Sequence, residues 1–200
     1  MKKLLTVIAV LSALALTGCG KADSAASIGD ITITQAQAQS KINELLAERA
    51  KINTADTQFE TGNALNRSQL RFTIITTVFD EIAKELKLPV SATELENARA
   101  AIYSQIGGEA ELPKNLVAAQ IAPSNFDRYL RATIISDKLS GALAMAGVAE
   151  AEIQGRISEL LQKKAEQLNV TVNPRYGVWD VASGDLIPED AAGSAVVPSK

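Results

Sequence analysis

Residues 66–88 read NRSQLRFTIITTVFDEIAKELKL and decide the fold. The apolar residues recur at four-residue steps, with two neighbours that widen the stripe: Leu70, Ile74, Val78, Ile82 and Leu86, then Ile75 and Phe79. Apolar residues at this spacing lie on one face of an α-helix. We predict a central core helix that starts at Asn66, with Gln69 three residues later. It ends near Leu88, because Pro89 disfavours helical geometry in the residue before it.

The segments on both sides of this helix predict further helices. Two capping boxes, in which a hydroxyl side chain is followed three residues later by Glu or Gln, mark helix starts at Thr34 and Ser91. Residues 53–66 are polar and indicate a loop. The remaining patterns predict helices over about 35–52, from Ser91 to Gly107, over about 111–121, from Ser124 onward, and over about 149–169.

Short β elements are predicted near both ends of the helical region. Residues 28–33 form a β-like segment with a turn at Gly29 and Asp30. Residues 170–180 read VTVNPRYGVWD, which indicates a returning strand whose Tyr176 and Trp179 pack on the helices. The predicted fold class is therefore mostly α, with about six helices and a minor β element formed near the two ends of the domain.

The amino terminus has the pattern of an export signal. Lys2 and Lys3 precede an apolar run over residues 4–16, and residues 16–19 read LTGC. The apolar run is shorter than the roughly 20 residues that a permanent membrane span requires. The LTGC stretch resembles the bacterial lipobox, which implies removal of the preceding peptide and a diacylglyceryl group on Cys19.

These features predict an order of segments along the chain. Residues 1–18 are a lipoprotein signal peptide, and residues 19–27 are a lipidated, flexible tether. Residues 28–180 form the helical domain, and residues 181–200, rich in small residues and acids, are a disordered tail. The expected location is the outer face of the cell membrane, where the lipid on Cys19, palmitate included, anchors the protein.

Composition excludes several classes of function. The chain of 200 residues has no histidine, and Cys19 is its single cysteine. Ser-His-Asp and Cys-His nucleophilic sites and the usual zinc ligand sets are therefore ruled out, and we expect no metal or cofactor. A net charge of −3 with mixed signs gives no footprint for nucleic acid. Acid groups at Asp80, Glu81 and Glu85, and at Glu94 and Glu96, are interpreted as solvated helix faces rather than paired catalytic carboxylates.

Four motifs in one order carry a resemblance to a known family. They are Ile-Thr after a glycine turn before the first helix, KLPVS followed by ATELE, SNFDRYLR, and VNPRYGVWD over residues 172–180. This arrangement resembles the N-terminal chaperone module of SurA/PrsA-type foldases and covers about residues 26–181. Family members often carry a parvulin prolyl-isomerase domain of roughly 90 residues before the closing segment. Here Val148 leads through one helix to Val172, which leaves no room for it.

The resemblance implies chaperone-like binding without ATP or isomerase activity. The expected partners are unfolded or exported polypeptides, and the expected protein is not an enzyme. Candidate client contacts are Phe72, Tyr103, Phe126 and Tyr129, because aromatic side chains bind exposed apolar segments. The competing interpretation is that these four are ordinary core residues of amphipathic helices.

Two other functions stay open on the sequence. One is an adaptor or structural lipoprotein that binds a single folded partner through a specific patch. The other is an enzyme, either a residual prolyl isomerase or a hydrolase with paired carboxylates, which the missing histidine disfavours. A continuous apolar cleft favours the chaperone, whereas a small bounded patch favours the adaptor.

Overall fold

The structure, a computed structural model, describes residues 23–52 and 58–189. Within these residues the chain is mostly α, as predicted. The six helices are α1 (Gln35–Arg49), α2 (Gly62–Glu85), α3 (Ala92–Ile106), α4 (Leu112–Ala118), α5 (Phe126–Met145) and α6 (Glu150–Gln167). Three single 3-10 turns lie at Glu109–Glu111, Pro123–Asn125 and Pro174–Tyr176. The predicted signal peptide over residues 1–18 and the predicted lipidation site Cys19 lie outside the described residues.

Both predicted capping boxes are confirmed. At α1 the Thr34 hydroxyl accepts from the Gln37 amide at 3.1 Å, and the Thr34 amide donates to the Gln37 side chain at 2.8 Å. At α3 the Glu94 amide donates to the Ser91 hydroxyl at 3.2 Å, and the Ser91 amide donates to Glu94 at 2.8 Å. The reciprocal bonds satisfy amides that a helix start leaves without partners.

The boundaries of α2 differ from the prediction at both ends. The helix starts at Gly62 rather than at Asn66, and its N-cap, Thr61, forms no side-chain bond to it. Gln69 is buried within α2, and its side chain donates a hydrogen bond to the backbone oxygen of Gln120. At the other end α2 stops at Glu85, before the position predicted from Pro89, because Lys87 has a φ of 53°.

Ser124 does not cap α5 as predicted. It lies within the 3-10 turn before the helix, and its hydroxyl donates to Glu44 on α1 at 2.5 Å. The Ser124 amide donates to the same carboxylate at 2.7 Å. The contact joins α1 to the start of α5, so the Ser124 side chain bonds to a neighbouring helix instead of capping its own.

The two ends of the domain meet in a small sheet, as predicted. Strands β1 (Ser24–Ile28), β2 (Ile31–Thr34) and β3 (Thr171–Val172) lie in the order β2-β1-β3 and are antiparallel. Two more strands, β4 (Val178–Asp180) and β5 (Asp185–Ile187), form an antiparallel pair. The closing segment therefore returns to the first residues of the domain.

The prediction of a flexible tether over residues 19–27 is wrong from Ser24 onward. Residues 24–27 belong to β1, which pairs on both sides, and Ala25 and Ala26 are 0% and 1% exposed. Their small side chains suit a central strand covered closely by helices, although the same composition is typical of a linker. The domain therefore begins before residue 28.

The prediction of a disordered tail over residues 181–200 is wrong for β5. Leu186 is buried in the core, and Asp185 forms an ion pair with Arg71 on α2. Pairing with β4 and this ion pair hold the segment on the domain. The rest of the predicted tail from residue 190 onward lies outside the described residues.

The largest apolar cluster, named here the main core, joins the sheet to α2, α5 and α6. Its fully buried members include Ile28, Leu70, Ile74, Val78 and Ile135. Tyr176 and Trp179 belong to it, which confirms their predicted packing on the helices. A smaller cluster, the Phe126 cluster, consists of buried Leu116, Ile121, Phe126 and Leu130 with half-buried neighbours from α2, α3, α4 and α5.

Candidate functional site

All four predicted contact residues lie in or around the Phe126 cluster. Phe126 is only 7% exposed, so it is a core residue in this structure. Phe72, Tyr103 and Tyr129 are half-buried at the margin of the cluster. The Tyr103 and Phe126 rings stack with centroids 6.5 Å apart and planes 21° from parallel. The structure thus brings the four aromatic residues together, with three of them partly open to solvent.

Helix α3 covers this cluster without burying any residue fully. It is held to α5 by two ion pairs, Arg99 with Asp127 at 2.5 Å and Lys138 with Glu94 at 2.7 Å. The Lys138 hydrogen bond, followed by bonds from Ser91, lowers the pKa of Glu94 to about 2. Bonds first to Asp127 and then to Glu96 raise the pKa of Arg99. Polar contacts at its surface therefore add to the contacts that the half-buried apolar residues of α3 make with the cluster.

A concave surface lies beside the cluster, between α2, α5 and the turn after α4. We name it the Phe72 groove; it has a volume of about 300 Å³. Half of its lining residues are apolar, and the other half are polar or charged, Glu60 and Arg71 among them. Its lining includes Phe72, Ile75, Phe79, Gln120, Ile121 and Ala132.

Sequence reasoning found Phe72 but not the rest of this groove. Ile75 and Phe79 are half-buried; they line the groove and also pack against the main core, as their spacing on α2 indicated. One signal pointed to them: they broaden the apolar stripe of α2 beyond the single row at four-residue steps. A stripe of that width exceeds what one neighbouring face covers, so part of it stays accessible.

Gln120 fixes the turn that forms one wall of the groove. It has a φ of 57°, and its side-chain oxygen accepts from Arg49 at 2.9 Å and from the Glu60 amide at 3.2 Å. Its backbone oxygen accepts from the side chain of Gln69 at 2.7 Å. Three segments thus converge on one residue, and the neighbouring Ile121 is held in place before any ligand arrives.

Arg49 is itself buried under this turn, at 9% exposure. Its guanidinium lies over the Phe59 ring at 4.6 Å and donates to the Glu60 carbonyl at 2.9 Å. Burial lowers the pKa of Arg49, and the nearby Glu60 opposes that shift. Since it bonds to protein groups on two sides, Arg49 acts as a support for the groove rather than as a contact for a ligand.

The acidic residues of α2 form separate ion pairs. Asp80 pairs with Arg131 at 2.5 Å, Glu81 with Lys84 at 3.8 Å and Glu85 with Lys164 at 2.6 Å. Each carboxylate thus has its own cation, and they do not converge on one point. This arrangement agrees with their interpretation as charged helix faces.

A family model described as SurA-like N-terminal domain matches residues 1–140. The chain belongs to this family. The resemblance inferred from the sequence motifs is thereby confirmed. The comparison shows this domain and no parvulin isomerase domain. A comparison with curated proteins gave no match, and neither did one with solved structures.

The SurA-like match extends through α1, α2, α3 and α4 and into α5. It therefore includes the whole Phe72 groove and the Phe126 cluster. Helix α6 and the closing strands lie beyond it and complete the main core. Among the described helices of this SurA-like protein, none combines the length and apolarity needed to cross a membrane.

Proposed function

We propose that this SurA-like protein binds unfolded or exported polypeptides without ATP, as a lipoprotein anchored at the outer face of the cell membrane. Membership of the SurA-like family supports polypeptide binding. The export signal and the LTGC stretch ending at Cys19 support the anchor. The short path between Val148 and Val172 supports a chain without isomerase activity.

The observation that carries the proposal is the Phe72 groove. Phe72, Ile75 and Phe79 present half-buried apolar surface in a concave site whose far wall is fixed by Gln120. Apolar pockets with a few placed polar groups are the usual form of a binding site. An unfolded polypeptide exposes apolar side chains that such a groove removes from water, at about 25 cal/mol for each Å² buried. The resulting affinity is weak and tolerant of sequence, as a holder of many clients requires.

An aggregation assay tests the groove directly. The protein would be the mature chain, residues 19–200, with Cys19→Ala to remove the acylation site, mixed with a chemically denatured reporter enzyme. We expect several-fold molar excess to suppress light scattering, and the double change Phe72→Ser with Phe79→Ser to remove most of that effect. Leu46→Ser is the matched control, because Leu46 is 44% exposed on α1, outside the groove. Absence of suppression by the parent chain contradicts the proposal.

The size of the groove favours one alternative. A volume of about 300 Å³ is at the lower limit of the roughly 300–1,000 Å³ that ligand sites occupy. A bounded site of this size also fits an adaptor that binds one folded partner. Affinity capture distinguishes the two: one stoichiometric partner with no affinity for denatured chains supports the adaptor.

The anchor and the missing isomerase have their own tests. Cells that express the full chain are labelled with radioactive palmitate, and we expect label on the parent protein and none on Cys19→Ala. Membrane fractionation should show the parent with lipid and the variant released. In a proline-peptide assay the chain should leave the isomerisation rate unchanged; acceleration would restore the enzyme hypothesis.

A further inference from the structure

A second cavity lies on a different part of the surface from the Phe72 groove. It has a volume of about 340 Å³ and lies between β2, α1, α2 and the start of α5. We name it the Arg128 cavity, after one of the two cationic residues that line it. It shares no lining residue with the Phe72 groove. Its lining includes Ile31, Ile33, Ala38, Lys41, Asn125 and Arg128.

Arg128 provides positive charge that no protein carboxylate neutralises within the described residues. Its Nη1 donates to the hydroxyls of Thr77 at 3.1 Å and Thr76 at 3.4 Å. By contrast, Arg131 on the same helix pairs with Asp80. A guanidinium presents five donors in a planar fork that matches carboxylate geometry. Arg128 therefore keeps donors for an anion inside the cavity.

Asn125 is an independent sign of a missing acceptor. It is 3% exposed, and its Nδ2 has no hydrogen-bond partner within the described residues. Although it is the N-cap of α5, its side chain does not bond to the helix amides. A buried donor without a partner costs about 1–3 kcal/mol. Asn125 and Arg128 are three residues apart at one helix start, so a single acceptor group in the cavity can lie near both.

The other wall of the cavity suits a polypeptide rather than a small anion. Strand β2 is at the edge of its sheet, with β1 on one side and no strand on the other among the described residues. Ile31 is 40% exposed there, and Ile33 and Ala38 continue the apolar wall. An open strand edge can accept an extended peptide as an added strand, with pockets for alternate side chains.

We infer that the Arg128 cavity binds the C-terminal carboxylate of an extended polypeptide lying along β2. The carboxylate accepts hydrogen bonds from Arg128 and from Nδ2 of Asn125, whereas Lys41 is already paired with Glu44 at 3.9 Å. The last apolar side chain packs on Ile31, Ile33 and Ala38. The choice of a polypeptide as the molecule that carries the carboxylate rests on the proposed function. The inference that the cavity binds an anion does not rest on it.

The test compares short peptides that differ only at the last group. Fluorescent apolar hexapeptides with a free carboxylate or a C-terminal amide are titrated, by anisotropy, into the mature chain with Cys19→Ala. We expect the acid to bind at least about tenfold more tightly than the amide, since charge-assisted bonds are roughly twice as strong as neutral ones. Arg128→Gln should remove the difference, and Arg131→Gln, the matched control on the same helix, should leave it within about twofold.

Several outcomes overturn the inference. They are equal affinity for acid and amide, no binding of either peptide, or an unchanged ratio in Arg128→Gln. A peptide amide with an internal glutamate that binds as tightly as the acid overturns the terminal-carboxylate assignment. So does competition by inorganic phosphate, or by phosphatidylglycerol vesicles, that matches the acid peptide. The acid-to-amide comparison needs no variant, so it stands even if Arg128→Gln fails to fold.

The two proposals can fail separately. The double change at Phe72 and Phe79 should reduce aggregation suppression and leave the acid-to-amide ratio unchanged. Arg128→Gln should leave aggregation suppression unchanged and reduce the acid-to-amide ratio. For this comparison the reporter enzyme has a blocked C terminus. Loss of both properties in one groove variant would show that the Arg128 cavity is not a separate site.

Discussion

The main core and the Phe126 cluster share α2 and α5 but are built in different ways, because α2 contributes only half-buried Phe72 to the Phe126 cluster. On one side of α2 and α5, Ile74, Val78 and Ile135 are 0% exposed beneath the sheet and α6. On the other side four buried residues are surrounded by a margin of half-buried ones from α2, α3, α4 and α5. Buried residues outnumber half-buried ones in the main core, whereas half-buried residues outnumber buried ones in the Phe126 cluster.

The difference separates stability from binding. Residues that are fully buried contribute the most free energy to folding, but they offer nothing to a ligand. Half-buried residues such as Phe72 contribute less and keep apolar surface available. Helix α3, with no buried residue, is attached both by half-buried apolar residues such as Leu95 and Ile102 and by ion pairs at its surface.

The largest expected effect comes from truncating the main core. Ile74→Ala should lower the free energy of unfolding by about 2–5 kcal/mol, because it leaves a cavity among fully buried neighbours. Leu95→Ala, on half-buried α3, should cost less than half as much. Urea unfolding followed by fluorescence measures both, since Trp179 is the single tryptophan and belongs to the main core. Equal losses at the two sites would remove the distinction between the two regions.

A second prediction concerns the strand pair that closes the main core. Gly177 has a φ of +123°, and a Cβ there would lie 2.2 Å from the backbone oxygen of Ile187 on β5. Gly177→Ala should therefore disrupt the β4-β5 pairing and cost about 1–3 kcal/mol. The control is Gly155→Ala within α6, where nothing lies within 4 Å of an added Cβ. That change should instead stabilise the protein by about 0.5–1 kcal/mol. If the strand pair is part of the fold, the melting temperature should fall in Gly177→Ala and rise in Gly155→Ala, as measured by thermal unfolding.

The helices could be predicted because their signals are local. The four-residue spacing in α2 and the hydrogen-bonding partners at Thr34 and Ser91 each lie within one segment. The order of the motifs also gave the family correctly. The start of α5 was misplaced because Ser124 is a good cap in isolation, but Glu44 on α1 takes its hydroxyl and amide. No local pattern indicates that contact.

The missed strands depend on distant partners. Residues 24–27 have the small side chains that are typical of a linker, yet Ala26 pairs with Val172 from the other end of the domain. The segment 185–187 is short and has an acidic residue at one end. It is a strand only because it pairs with β4. Composition alone underestimates such segments, because the backbone supplies most of their bonds.

The candidate site was predicted only in part for the same reason. Phe72 was identifiable as an aromatic residue on an amphipathic helix. The role of Gln120 was not, since it depends on the positive φ at the end of α4 and on three donors from Arg49, Glu60 and Gln69. Polar residues that bond to distant segments of the chain do not produce a periodic sequence pattern.

The smallest expected effect tests how α3 is attached. The pKa of Glu94 falls from 4.5 to about 2 in the folded protein, first through its bond to Lys138 on α5. A lowered pKa means that this contact stabilises the fold above about pH 4.5 and that the stabilisation is lost as the pH falls toward 2. Glu94→Gln keeps the capping box, because Gln also serves at that position, but removes the charge. The variant should melt slightly below the parent at pH 6, and the difference should vanish near pH 2.

The control for this charge is Glu159→Gln. Glu159 pairs with Arg156 within α6 and joins no two helices. Its removal should therefore change the melting temperature less than Glu94→Gln at pH 6, because an exposed pair within one helix contributes only about 0.3–0.5 kcal/mol. If both variants lose the same amount, or if the effect of Glu94→Gln persists at pH 2, the pair with Lys138 does not hold α3. Apolar contacts at the Phe126 cluster would then suffice to hold the helix, and the two faces of α2 and α5 would differ less than their burial indicates.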